Sequence, residues 1–599
     1  MSNSPPSLRD DIHLLGDLLG QVLRRQAGIE LFDLEERIRA LTKARRGDEG
    51  GAGSEETDRY LEDLIAGLAL PEADAAARAF TSYFDLINVA EDVQRARVLR
   101  IRERESGPVP IAGSIGAAVA RLKDLGATAL DVQALVDGLR IELVFTAHPT
   151  EAKRRSVLSK LRRIGAALTE LERRELLPRE RAGLVEAVRA ETTSLWLTDR
   201  GRAAAPTVED EVRTTLYHFE ETIWEALPAV YRALAEALAA HFPEVRPPDR
   251  FLSFGSWVGG DRDGNPNVTA AVTAEALRLH RGLAVRLHHD SAVRLERSLS
   301  LSGQLAELDE AAGAELAAAG EAVPEAARRT LARYPNEPFR LLAAGVAAGL
   351  EEALGDGQVQ ARLLGEETTP PPPLRRQSDL TAPLERIERL LRAGRAGAVA
   401  DHELRGRRAE AEAFGLHVAR LDLRQYSEVH HAVVDELLRT LEIRSDYLSL
   451  SAGERASALA QLLKEVPPDL PAGGLSETGG LSETAVETLS LFGVARRALD
   501  LYGPEVLGPY IVSFTQHPVD ILAVLLLAHW TGAVGPGGPS DPGGPSDPGG
   551  PSSPGVPALA IAPLFETRDD LRRAPETMAA LLKQPAYRRH LAALGGEQT

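Results

Sequence analysis

The sequence predicts an α/β protein, predominantly helical, arranged as a (β/α)8 TIM-type barrel with large helical insertions. Two observations carry that prediction. Five short apolar runs are each followed by a brief loop and a helix-type pattern, the signature of parallel β/α units. Polar and charged side chains gather directly after those runs, at the end of a parallel barrel where active sites are built. A third observation sets the organisation: residues 1–135 show only helical periodicity, so an N-terminal helical region is expected there, with the barrel and its insertions over 136–599.

The elements follow in chain order. Leu8, Ile12, Leu15, Leu19 and Val22 recur at spacings of three and four behind Ser7, with Asp10 in the first turn. A polar, glycine-rich stretch, 47–58, reads as a loop, and helical periodicity resumes at Tyr60 and runs to Arg102. Ile141 to Thr146 reads as a buried strand, followed by His148 and Pro149. Phe251 to Trp257 is the second strand; a loop containing Asp261, Arg262 and Asp263 then leads to a helix from Val268. His417 to Arg424 is the third, Tyr510 to Phe514 the fourth and Ala558 to Leu564 the fifth, with Glu566 just beyond it. Ile521 to Ala528, eight apolar residues, is too short for the roughly 20 residues of a membrane span and reads as a buried helix.

Three stretches, 365–379, 467–484 and 535–557, are rich in Pro, Gly, Ser or tandem repeats. Such segments bury too little apolar surface to offset their ordering entropy, so they read as surface insertions without chemistry.

Composition narrows the function. The chain has 599 residues, is 44% hydrophobic and carries a net charge of −19, which gives no global electrostatic reason to bind nucleic acid. Aromatics at 5% argue against a base-stacking surface, and zero cysteines remove disulfides, thiolate metal sites and thiol nucleophiles. The first residues lack the basic and apolar regions of a signal peptide, so a cytoplasmic protein without a membrane partner is expected. Only six of the 69 basic residues are lysine, which leaves phosphate or carboxylate recognition largely to guanidinium groups.

Individual residues have competing readings. His148, on the rigid mount between a strand and Pro149, is either a proton-transfer group or a loop-bonding histidine. The pairs His288–His289 and His430–His431 sit on helical segments and read as solvated faces. Asp261, Asp263 and Asn265 superficially form a calcium loop, but Pro266 stands where the turn needs glycine and Val272 where the bidentate glutamate belongs. No Gly-Lys dipeptide occurs, which excludes a nucleotide P-loop. The loop from Gly259 to Pro266 therefore reads as an active-site loop or a charged turn. Glu566 is a candidate ligand for a hard cation, or a helix cap. Arg424 is a candidate phosphate ligand, or a partner of Asp422, which strand alternation puts on the same face.

Taken together, five segments in order resemble phosphoenolpyruvate carboxylase of the bacterial and plant type. They are Phe145 to Glu151 with Arg154 and Arg155, Gly255 to Thr269, Leu421 to Gln425, Tyr510 to Ser513, and Pro563 to Thr567 with Asp569 to Leu571. The resemblance implies formation of oxaloacetate and phosphate from phosphoenolpyruvate and bicarbonate, with Mg²⁺ (or Mn²⁺), through carboxyphosphate and the pyruvate enolate. His148 matches the family's general base, Glu566 a metal-ligand carboxylate and Arg424 a phosphate-contacting arginine. Trp257 and Leu564 match the apolar pocket that holds CO₂. A homotetramer is expected for the full-length family.

The resemblance also implies segments that do not follow Thr599: a second metal carboxylate with a catalytic lysine, and a phosphate loop rich in glycine and arginine. The expectation is therefore a truncated chain, an incomplete barrel of five strands with open edges, and little carboxylase activity by the chain alone. In the alternative reading it is an inactive remnant, or one half of a split enzyme that needs a complementary C-terminal chain.

Overall fold

A computed structural model describes residues 7–47, 52–147, 153–172, 175–201, 205–468, 470, 480–534 and 558–598. His148 and the insertion 535–557 lie outside the described residues, as does most of 469–479. The chain divides into two compact units, Met1–Ala120 with His148–Ala205, and Arg121–Ala147 with Pro206–Thr599.

The first unit is helical. Ser7 caps the helix Leu8–Gln26 and exchanges hydrogen bonds with Asp10, which satisfies donors that the first turn leaves open. Leu15, Leu19 and Leu23 of this helix pack with Leu86, Ile164, Val188 and Leu195 of three others, Leu70–Ser106, Arg155–Leu171 and Pro178–Trp196. Arg97 is buried in this unit between Asp11 at 2.9 Å and Glu172 at 2.7 Å, so one guanidinium serves two carboxylates. The helix Ala52–Ala66 begins inside the stretch expected to be a loop.

The second unit holds one parallel sheet of five strands in the order β1-β2-β3-β4-β5: Ile141–Phe145, Leu252–Ser256, Arg420–Tyr426, Leu507–Ser513 and Ile561–Pro563. All five strands overlap the runs the sequence marks, although β3 starts three residues later than expected and β4 three residues earlier. β1 and β5 are not paired with each other among the described residues, so the sheet is open there. β1 differs from expectation in burial. As an edge strand with one neighbour it leaves Ile141, Leu143 and Val144 exposed.

Helices follow the strands at once. Ala270–Ser298 follows the β2 loop, Ser427–Thr440 begins directly after β3, and Arg568–Leu581 follows β5, capped by Thr567 with Asp570. Pro518–Trp530 after β4 is the buried apolar helix expected, with every residue from Val519 to Ala528 buried. A second core, built around Phe339, Leu350, Leu390, Leu391 and Leu404, fills the long insertion between β2 and β3. No helix among the described residues is long and apolar enough to cross a membrane.

Three of the four paired histidines are not solvated, while His289 is partly exposed. His288, His430 and His431 are buried, because their helices are covered on more than one face. His288 Nε2 bonds the carbonyl of Gly415 at 2.8 Å, His430 Nε2 the Tyr510 hydroxyl at 2.8 Å, and His431 both Tyr447 and Asp520. Burial pushes His288 down to about 4 and His430 to about 3.

Candidate functional site

The carboxyl ends of β2 to β5 bring Asp261, Asp263, Arg424, Ser513 and Glu566 together. Arg424, near the end of β3, is the hub. Its Nη2 lies 2.5 Å from Asp263 Oδ2 and 3.1 Å from Glu566 Oε1, its Nη1 3.3 Å from Asp261 Oδ2, and its Nε donates to Ser513 Oγ at 2.8 Å. Ser513, the last residue of β4, donates in turn to Asp263 Oδ2 at 2.8 Å. Three carboxylates around one guanidinium leave the cluster with a formal excess of negative charge. Burial raises the Asp261 carboxyl and the Arg424 charge opposes that rise.

The backbone sets this geometry. Arg262 N donates to the carbonyl of Arg424, and Arg424 N to that of Gly260, which extends the β2 loop along β3 as a parallel bridge at Asp261. Asp261 Oδ1 accepts from Asp263 N at 3.0 Å and closes the turn. At the end of β4, Phe514 adopts φ 55°, a left-handed conformation costly for an aromatic residue. It is held there by its ring stacked 5.5 Å from Tyr426 and by the Ser427 hydroxyl on its carbonyl.

The residues singled out in the sequence divide. Asp261 and Asp263 face Arg424, whereas Arg262 turns the other way to Glu487, at 3.1 Å, so it anchors the loop to the helix Glu483–Tyr502. The ion pair between Asp422 and Arg424 is not formed. Both touch Trp257 instead: its indole N–H donates to Asp422 Oδ2 at 2.9 Å, and its ring lies 4.8 Å from the Arg424 guanidinium carbon. Alternation along β3 holds, but the indole takes the Asp422 carboxyl. Leu564 is half-buried and fixed by its backbone, its N donating to Val512 and its carbonyl accepting from Thr515. Sequence reasoning missed Ser513, Glu487 and Tyr426. Ser513 carried a usable signal, because it ends an apolar strand as Arg424 nearly does.

Among the described residues no three His, Asp or Glu side chains are arranged to hold a metal ion. Glu566 is a single carboxylate on a loop. That suits a cation such as Mg²⁺, which takes one or two carboxylates and fills its remaining positions with water or substrate oxygens.

The family model described as phosphoenolpyruvate carboxylase matches residues 8–599. A phosphoenolpyruvate carboxylase of Roseiflexus castenholzii is 35% identical over 99% of this chain and 62% of its own length. One from Thermus thermophilus is 36% identical over 100% of this chain and 60% of its own, and one from Nocardia farcinica 35% over 99% and 61%. The relatives match along the whole of this chain. The chain spans about three-fifths of the length of these relatives. With a family model matched from residue 8 to residue 599, the chain belongs to the phosphoenolpyruvate carboxylase family.

Proposed function

We propose that this protein carboxylates phosphoenolpyruvate with bicarbonate, forming oxaloacetate and phosphate, and that the Arg424 cluster is its anion-recognising centre. The observation that carries the reading is a half-buried guanidinium at the strand ends, ringed by carboxylates that a substrate phosphate can displace. The finer fold that goes with it is a (β/α)8 barrel to which β1–β5 contribute, and the partners are phosphoenolpyruvate and bicarbonate in a homotetrameric cytoplasmic enzyme.

In this reading Arg424 exchanges a carboxylate for the phosphoryl oxygens and orients the phosphorus for attack by bicarbonate. Phosphorus–oxygen cleavage then gives carboxyphosphate and the pyruvate enolate. His148 takes the carboxyl proton of carboxyphosphate, and CO₂ and phosphate separate, a role worth roughly 10²–10⁴ in rate for such a base. Trp257 and Leu564 wall an apolar pocket in which the enolate meets CO₂ rather than water. Glu566 would hold Mg²⁺ (or Mn²⁺), which supplies Lewis-acid stabilisation of the developing enolate oxygen when bound.

The test is oxaloacetate formation by the purified protein with phosphoenolpyruvate, bicarbonate and Mg²⁺. The expected result is turnover that requires both substrates and disappears in His148→Asn. A folded protein that neither forms oxaloacetate nor binds phosphoenolpyruvate contradicts the reading.

A further inference from the structure

We propose that Asp422 is a positioning residue: its carboxyl grips the Trp257 indole by the N–H and so fixes the ring face against Arg424. The inference rests on the reading of Trp257 as a wall of the apolar pocket and deepens it.

Asp422 is 5% exposed, yet its charge is not used for an ion pair among the described residues. Arg424, two residues on, is engaged by Asp261, Asp263 and Glu566, while Arg420, two residues back, donates through Nε to Glu142 at 3.0 Å. One carboxyl oxygen accepts from Trp257 Nε1 at 2.9 Å, and the other, Oδ1, has no hydrogen-bond partner. Leaving a buried carboxyl oxygen unsatisfied is costly, so the fold retains the group against its own stability.

The space for it is made by two glycines. A Cβ on Gly508 would stand 1.7 Å from Asp422 Oδ1, and a Cβ on Gly260 2.1 Å from the Asp422 carbonyl oxygen. Each glycine belongs to a different neighbour of β3: Gly508 to β4, Gly260 to the loop after β2. The carboxyl therefore sits at a fixed depth in the sheet. The indole that reaches it has one edge fixed and one face left for the guanidinium, 4.8 Å away. Burial, together with Glu142 and against Arg420, pushes the Asp422 carboxyl up to about 7, so the acceptor changes charge near neutral pH. An indole N–H responds to that change; a purely space-filling carboxyl would leave it unmoved.

The experiment follows the indole N–H resonances of the four tryptophans in protein labelled with ¹⁵N-tryptophan, Trp257 being assigned by its loss in Trp257→Phe. In the wild type the Trp257 resonance is expected to shift with a midpoint near pH 7, and its hydrogen exchange to be protected. Asp422→Asn, whose amide oxygen still accepts, should keep the protection and lose the pH response. Asp422→Ala should lose protection by at least about tenfold. Should Asp422→Ala fail to fold, Asp422→Asn alone decides: a pH response that survives in it, or an unprotected indole in it, overturns the proposal. An unchanged Trp257 resonance in folded Asp422→Ala overturns it as well.

Catalysis supplies a second readout. In Asp422→Ala the share of enolate protonated on carbon to pyruvate, rather than carboxylated to oxaloacetate, should rise about threefold with KM for phosphoenolpyruvate changed less than about twofold. An unchanged share contradicts the positioning role. If the wild type does not turn over, the proposed function fails, while the resonance data still judge the role of Asp422.

Discussion

Asp263 Oδ2 lies 2.5 Å from Arg424 Nη2 and also accepts from Ser513, and its side chain is 8% exposed. The guanidinium is thus held by a carboxylate that reaches it from the β2 loop. Asp263→Asn should lower stability by about 1–3 kcal/mol, because it leaves a partly buried arginine without its closest counter-charge. Urea unfolding at pH 7.5 measures it, and no loss would mean that the contact is not part of the folded state.

Asp422 couples folding to pH. Its folded pKa of about 7 stands above the usual carboxylate value of 3.8, so the folded state binds this proton more tightly than the unfolded chain. The wild type should therefore lose stability relative to Asp422→Asn as pH rises from about 4 to 7, and the difference should be flat above that. The full span is on the order of 2–4 kcal/mol. Unfolding free energies of both proteins at pH 5 and pH 8 check it.

Buried histidines act in the opposite sense. His280 and His288 are held near 4 by burial and His430 near 3, all below the ordinary 6.5. Their contribution is present above pH 6.5 and is lost as pH falls towards 4. Three such groups at roughly 3 kcal/mol each outweigh the Asp422 carboxyl, so acid destabilisation is expected from these four groups taken together. His288→Gln should flatten the acid limb of the stability profile by about one proton.

Gly508→Ala should be severe. The new methyl would overlap the Asp422 carboxyl in a strand buried on both faces, with a loss of about 2–4 kcal/mol or a displaced β4. Thermal unfolding of the variant measures it, and a change below about 1 kcal/mol would show that Asp422 can move.

How much of this was legible depends on the kind of signal. The five strands were, because apolar runs followed by turn residues and helical periodicity are local properties. Asp261, Asp263, Arg424 and Glu566 were, because in parallel sheets the strand ends converge whatever lies between them in the chain. The partner of Asp422 was not: Trp257 is 165 residues away, and alternation names a face without naming what occupies it. The buried histidines were misread because adjacent helical residues were assumed to have one covered side, whereas the helices Ala270–Ser298 and Ser427–Thr440 are packed on several. The exposure of β1 depended on its place at the sheet edge, which strand composition does not record.

The most direct test of the account is calorimetric titration of phosphoenolpyruvate, with Mg²⁺ present, into the wild-type protein and into Arg424→Gln. The account predicts saturable binding to the wild type and a dissociation constant at least about tenfold higher in the variant, the loss of one charge-assisted phosphate contact. Equal binding by the two folded proteins, or none by the wild type, would contradict it.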